Sequence, residues 1–96
     1  MGAYRLTKKA DEEDLAGLYR YGIQNFGIER ADRYFDSLLA RLEEIGDSPL
    51  QFQKSDIRDG YRRSVHRPYT IYYRIIDPEL VEIVRILRGQ DPREAF

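Results

Sequence analysis

Five arginines, Arg62, Arg63, Arg74, Arg85 and Arg88, lie in or beside three β-prone runs in the second half of the chain. A plain structural sheet does not need guanidinium groups in its strands. A guanidinium stays charged and presents a planar fork of donors, so it grips a carboxylate or a phosphate through two hydrogen bonds at once. Two readings of the set stand side by side. The arginines form rim salt bridges with Asp77, Glu79 and Glu82, each worth little. Alternatively they form a docking surface for a carboxylate patch or a phosphate. Strand alternation puts Arg62 and Arg63 on opposite faces, so all five cannot converge.

Other chemistry finds little support in the residues. His66 is the only histidine, and there is no cysteine. A His-rich or thiolate metal site is therefore impossible, and Asp and Glu alone show no metal-ligand spacing. Serines stand at 37, 48, 55 and 64, none in a Gly-x-Ser-x-Gly turn. His66 reads as a turn histidine beside Pro68. The seven glycines never cluster, so no phosphate-cradling or dinucleotide loop is expected. The run Asp11-Glu-Glu-Asp14 reads as a solvated helix start. No cofactor and no metal are expected.

Ninety-six residues suit one domain spanning 1–96, without room for a second core. The absence of cysteine fits a reducing compartment. No apolar run approaches the roughly 20 residues that span a bilayer, so a soluble, cytoplasmic protein without a membrane partner is expected. The net charge of −1 conceals an asymmetry. Residues 1–57 carry eight Lys/Arg against eleven Asp/Glu, whereas 58–96 carry eight Arg against six Asp/Glu. A domain that binds DNA specifically on its own is usually clearly basic, so none is expected here.

These side chains need a scaffold. Ala3–Leu6 reads as a short strand. Thr7 is placed to cap a helix whose first turns hold the acidic run. Leu15, Leu18, Tyr19, Gly22 and Phe26 share one helical face. Gly22 weakens the helix, which suggests close packing there. Gly27 marks a tight turn. Ala31, Phe35, Leu38, Leu42 and Ile45 repeat at intervals of four and three, a core-facing seam on a second helix. The two helices then form an antiparallel hairpin. Residues 47–59 make a polar loop anchored by Leu50 and Phe52. Gly60–His66, Pro68–Ile76 and Leu80–Leu87 follow with turn-sized gaps, so they pair as a three-stranded antiparallel meander. The N-terminal strand adds to its edge. The tail from Gly89 reads as polar and mobile, with Phe96 as a possible anchor. The fold class is α+β: an N-terminal strand, an antiparallel helix hairpin, then a meander in one small sheet.

In the middle strand, Ile71, Tyr73 and Ile75 face one way and Thr70, Tyr72, Arg74 and Ile76 the other. The second set mixes aromatic, aliphatic and arginine side chains, the composition of a contact surface. An ordinary solvated face would look similar.

The order of elements, with Ala10, Asp14, Leu15, Tyr19 and Phe26 in the hairpin, then Gly60-Tyr-Arg-Arg63, Tyr72-Tyr-Arg74 and Val81-Glu-Ile-Val-Arg-Ile-Leu87, resembles the RelE/ParE superfamily of bacterial toxins. The resemblance spans nearly the whole chain and is closest to the ParE branch. It implies the toxin of a type II toxin–antitoxin system, one that inhibits DNA gyrase by binding rather than by catalysis. It further implies neutralisation by a ParD-like antitoxin in a hetero-oligomer. The other branch implies a ribosome-dependent mRNA endonuclease, which needs an acid and a base near the scissile phosphate. Where many relatives place a histidine after Ile86-Leu87 this chain has Arg88, which stays protonated and shuttles protons poorly. A third possibility is a non-toxic partner that helps its antitoxin repress transcription. On the first reading the target-binding residues are Arg62, Arg63, Arg74, Arg85 and Arg88, with the tail. The antitoxin-binding residues are Tyr21, Ile23 and Tyr34 on the outer helix surface and Tyr72, Arg74 and Ile76 on the open sheet face.

Overall fold

A computed structural model describes residues 2–96. Strand β1, Ala3–Leu6, leads into a π-helical segment, Lys9–Leu15, which runs directly into helix α1, Ala16–Phe26. Helix α2 is Ile28–Asp47. After a short 3-10 turn at Pro49–Gln51 come β2 (Tyr61–His66), β3 (Tyr69–Asp77) and β4 (Leu80–Leu87), then a terminal helical turn, α3 (Pro92–Ala95).

Local chemistry accounts for the helical boundaries. Thr7 accepts a hydrogen bond from Ala10 N on its Oγ1 (3.1 Å), which satisfies one of the free amides at the helix start. Gly27 separates α1 from α2 at φ 89°, a left-handed value that suits glycine. The hairpin closes tightly because a Cβ on Gly22 would lie 3.2 Å from the Cβ of Ala31. Close packing is thus the use of that glycine, as the sequence suggested.

The sheet order is β1-β4-β3-β2. The meander strands pair antiparallel, and β1 lies parallel to β4, with Ala3 opposite Leu80 and Leu6 opposite Ile83. The helices cover one face. Leu15 and Leu18, then Leu38, Leu42 and Ile45, pack on Ile71, Tyr73, Val81, Ile83 and Ile86. Each such aliphatic side chain contributes about 1.5–3 kcal/mol when fully buried. Tyr73 is fully buried and donates its hydroxyl to Pro49 O at 2.5 Å. Its burial pushes the phenol up to about 12.

Two irregularities redirect side chains. Tyr72 pairs with Arg85 while Tyr73 pairs with Ile83, so Val84 is an extra residue in β4. Ile75 pairs with Val81 while Asp77 pairs with Leu80, so Ile76 is extra in β3. Such bulges bend a strand and re-aim its side chains.

Two expectations need correction. Leu50 is 70% exposed and anchors nothing; Phe52 does that work, set edge-on to Tyr73. Phe26 lies outside the core at 51% exposure, because the hairpin turns immediately after it. In the tail Asp91 caps α3 by accepting from Arg93 N at 3.0 Å, and Phe96, the anchor the sequence offered, packs on the sheet. No helix among the described residues is long and apolar enough to cross a membrane.

Candidate partner-binding surfaces

The outer face of the sheet carries a row of charges across three strands. Arg5, Glu82 and Arg74 are register partners. Arg5 Nε donates to Glu82 Oε2 at 3.1 Å, and Arg74 Nε and Nη2 approach Oε1 at 3.0 and 2.9 Å. Burial works against the Glu82 charge, but the two arginines more than offset it and hold the carboxyl below its ordinary value. The salt-bridge reading therefore describes Arg74, although its side chain remains largely in water.

The next row is aromatic. Tyr72 lies between Arg63 of β2 and Arg85 of β4. It is only 6% exposed, so this residue is not on an open face. The cause is the tail: the Phe96 ring stands edge-on to Tyr72 with centroids 5.4 Å apart and tilts against Tyr61 at 5.6 Å. Arg63 stays exposed on this face, as does Val65. Ile76, at the bulge, is also exposed.

Arg85 does not present its guanidinium to solvent. Its Nε and Nη2 bind Asp14 Oδ2 and Oδ1 at 2.8 and 2.9 Å, and its Nη1 donates to Ala95 O. The Asp14 hydrogen bonds raise the Arg85 pKa further. Asp14 also accepts from Ile86 N at 2.8 Å. Strand β1 accompanies β4 only as far as Ile83, so the edge beyond it would expose unpaired amides and carbonyls. Thr7 takes two of them, donating from N to Ile83 O and from Oγ1 to Val84 O. Asp14 takes the next. The acidic run is therefore not wholly a solvated helix start: its last member is 7% exposed and builds the interior.

Arg62 points to the helix side and donates from Nη1 to Phe52 O at 2.7 Å. Ser64 and His66 share that side. Ser64 receives Arg41 Nη1 at 2.8 Å, and the His66 ring lies 3.0 Å from Ser37 Oγ. Burial, with Arg41 nearby, lowers the His66 pKa. The five arginines thus do not form one surface. Arg63 and Arg74 share the outer face, Arg62 and Arg85 brace the structure, and Arg88 lies elsewhere.

Arg88 belongs to a groove at the tip of the hairpin. Its guanidinium stands over the Tyr21 ring, 5.0 Å from the centroid, and the Tyr21 hydroxyl raises its pKa. Arg30 stands over Phe26 at 5.4 Å. Between these two capped rings is an open cavity of about 230 Å³, lined by Leu18, Gly22, Ala31, Tyr34 and Tyr69. Apolar cavities of roughly 150 Å³ already accept a benzene-sized group. Among the described residues neither arginine pairs with a carboxylate. Burial raises the Tyr69 phenol, with Arg88 opposing. Tyr34 is not on the outer helix surface: its hydroxyl donates to His66 O at 2.6 Å, and burial pushes it up to about 12. Tyr21 is exposed, whereas Ile23 is partly buried.

Sequence reasoning missed Asp14, Phe26, Arg30 and Tyr69 as site members. Asp14 had a visible signal, since it stands four residues from both Ala10 and Leu18 on the buried stripe. Arg30 and Tyr69 had none, because their approach to Tyr21 depends on how the hairpin meets the β2–β3 turn. Among the described residues no three His, Asp or Glu side chains gather to hold a metal.

The geometry can be set against known proteins. The family described as "ParE toxin of type II toxin-antitoxin system, parDE" matches residues 4–92. The protein named Toxin ParE1 from Caulobacter vibrioides is 35% identical over 88 residues, covering 91% of this chain and 88% of the relative. Toxin ParE1 from Mycobacterium tuberculosis is 24% identical, with 91% and 90% covered. A solved structure titled "Chromosomal ParDE TA system from P. aeruginosa" superposes with a TM-score of 0.76 at 22% identity, covering 94% of this chain and 98% of that one. At that identity the structure speaks for the fold, while the family match and the first relative establish kinship. The chain belongs to the ParE toxin family of type II toxin–antitoxin systems.

Proposed function

We propose that this protein acts in the cytoplasm by binding DNA gyrase, without catalysis of its own, and that a ParD-like antitoxin neutralises it in a hetero-oligomeric complex. The observation that carries the binding reading is the separation of His66 from the exposed arginines. His66 lies on the helix side of β2 against Ser37, while Arg63 and Arg74 project from the opposite face. Phosphodiester cleavage needs an acid and a base within hydrogen-bond reach of the reacting oxygens. The outer face instead offers fixed cations around an aromatic platform, which suits recognition of an acidic surface. Target contact then falls to Arg63, Arg74 and the docked tail, with Arg62 and Arg85 holding the frame.

The hairpin groove supports the antitoxin half of the reading. It is apolar, open and flanked by two arginines without carboxylate partners. An antitoxin segment that orders on binding gains most where such a preformed concave site awaits it. A paired assay on purified protein tests the proposal: gyrase supercoiling in one reaction, ribosome-programmed mRNA cleavage in the other. Lost supercoiling with intact mRNA is expected. Cleaved mRNA with normal supercoiling would overturn the binding reading and return His66 to consideration as an acid–base group.

A further inference from the structure

Arg85 is the one strand arginine tied to three parts of the chain at once. It sits in β4, binds Asp14 of the first helical segment through two parallel hydrogen bonds, and holds the carbonyl of Ala95 in the tail. Asp14 is fixed in turn by Ile86 N. The pair is nearly enclosed, with side-chain exposures of 11% and 7%. A fork–fork pair of this kind fixes orientation as well as distance. Beyond the carbonyl it holds comes Phe96, whose ring covers Tyr72 and Tyr61 between the exposed Arg63 and Arg74.

Two consequences follow from that geometry. Arg85 commits three of its five N–H groups to Asp14 and Ala95 and is only 11% exposed, so it has little to offer a partner while the tail is docked. Conversely, the tail has few other ties. Its own backbone bonds run from Glu94, Ala95 and Phe96 back to Asp91 and Pro92, all within the segment. The Arg85 link and the Phe96 ring are therefore what join it to the sheet. A four-residue helical turn is far too short to persist by itself.

We propose that Asp14 and Arg85 are a positioning pair: they set the C-terminal tail on the outer sheet face, and the tail so placed forms part of the surface that grips the target. This rests on the binding reading above, since it assigns Arg85 an indirect part in toxicity in place of a direct contact. Asp14 is decisive because it is enclosed and carries the opposite charge, so it has no contact of its own to make with an acidic partner.

The test uses Asp14→Asn, which keeps an acceptor for Ile86 N but removes the charge from the pair, and Phe96→Ala, which removes only the aromatic anchor. Hydrogen exchange of the amides of residues 94–96 is read first, alongside cooperative thermal unfolding and antitoxin affinity. Both variants are expected to speed exchange of those amides by tenfold or more while the amides of β3 and β4 stay protected. Both are expected to weaken growth arrest in cells by a similar degree while antitoxin affinity holds. Wild-type tail exchange in Asp14→Asn would overturn the pair as the tail's anchor. A loosened tail with undiminished growth arrest would overturn the tail as part of the gripping surface. Should Asp14→Asn unfold, Arg85→Lys in its place keeps the charge but cannot span Asp14 and Ala95 together, and the same two outcomes decide. Tail exchange does not involve gyrase, and growth arrest does not presuppose it, so a wrong target would leave these results legible.

Discussion

Gly22 of α1 faces Ala31 of α2 so closely that a Cβ on the glycine would lie 3.2 Å from that of the alanine. Such a contact is tighter than side chains normally tolerate, so any added group pushes the helices apart. Gly22→Ala sets a helix gain of about 1 kcal/mol against that crowding. Its net effect is expected to be small. Gly22→Val adds two more methyl groups to the same contact and is expected to cost about 1–3 kcal/mol. Urea unfolding of both variants checks the pair. A valine variant of wild-type stability would mean that the hairpin does not close as described.

Glu82, flanked by Arg5 and Arg74, carries a pH signature. Its folded carboxyl titrates below its ordinary value, so its contribution is present above the unfolded value and disappears as pH falls through the folded one. The arginines are largely solvated, so Glu82→Gln is expected to cost only about 0.5–1 kcal/mol at neutral pH. The gap between wild type and variant is expected to narrow as pH falls through the unfolded carboxyl value, about 4.3, and to close only below the folded one. Chemical denaturation at neutral and acid pH checks this; a gap that persists in acid would place its origin outside the ion pairs.

Sequence patterning carried most of the fold and less of the surface. Strand β1 and β4 have the bounds their residues suggested, and Leu38, Leu42 and Ile45 lie at the centre of the core. Periodicity succeeds there because burial repeats with the geometry of the element. It fails where a position is decided by contacts distant in sequence. Tyr72 alternates with Tyr73, yet the tail covers it, and nothing local to β3 announces that Phe96 will arrive. Asp14 stands in an acidic run, yet it is enclosed because β1 stops short of the end of β4. Phe26 fits the apolar stripe of α1, yet Gly27 turns the chain before the stripe can be buried there.

His66 gives a second pH prediction. Burial comes first and Arg41 second in lowering its folded pKa, with Glu44 opposing. The neutral ring also rests against Ser37 Oγ and beside Tyr34. Because the unfolded chain then binds the proton more readily, stability falls as pH drops through the unfolded histidine value, about 6.5, and on through the folded one. His66→Gln is expected to lose this component of the pH dependence while retaining the backbone bond from Tyr34 to residue 66. Thermal unfolding across pH 5–8 checks it; parallel profiles for the two proteins would mean that His66 titrates alike in both states.

The two surfaces are separable by charge reversal. Arg88 lies at the hairpin groove and Arg63 on the outer sheet face, and neither is a core residue. If the groove receives the antitoxin, Arg88→Glu removes the cation–π contact with Tyr21 and places a carboxylate where a partner's acidic group is expected. Affinity for a ParD-like antitoxin is expected to fall at least tenfold, about 1.4 kcal/mol. Tyr21→Ala should act in the same direction by removing part of the cavity wall. Arg63→Glu should leave antitoxin affinity within about twofold, since rim charges far from an interface alter binding little. It is expected instead to weaken gyrase inhibition. Calorimetric titration with antitoxin, paired with a supercoiling assay, reads both effects on the same preparations. Arg74→Glu decides between the surfaces for its own residue, because Arg74 was expected at both: reduced inhibition with unchanged antitoxin affinity would assign it to the target face alone. Equal losses of both activities in Arg88→Glu and Arg63→Glu would mean that one continuous surface serves both partners, and the separation drawn from the geometry would fall.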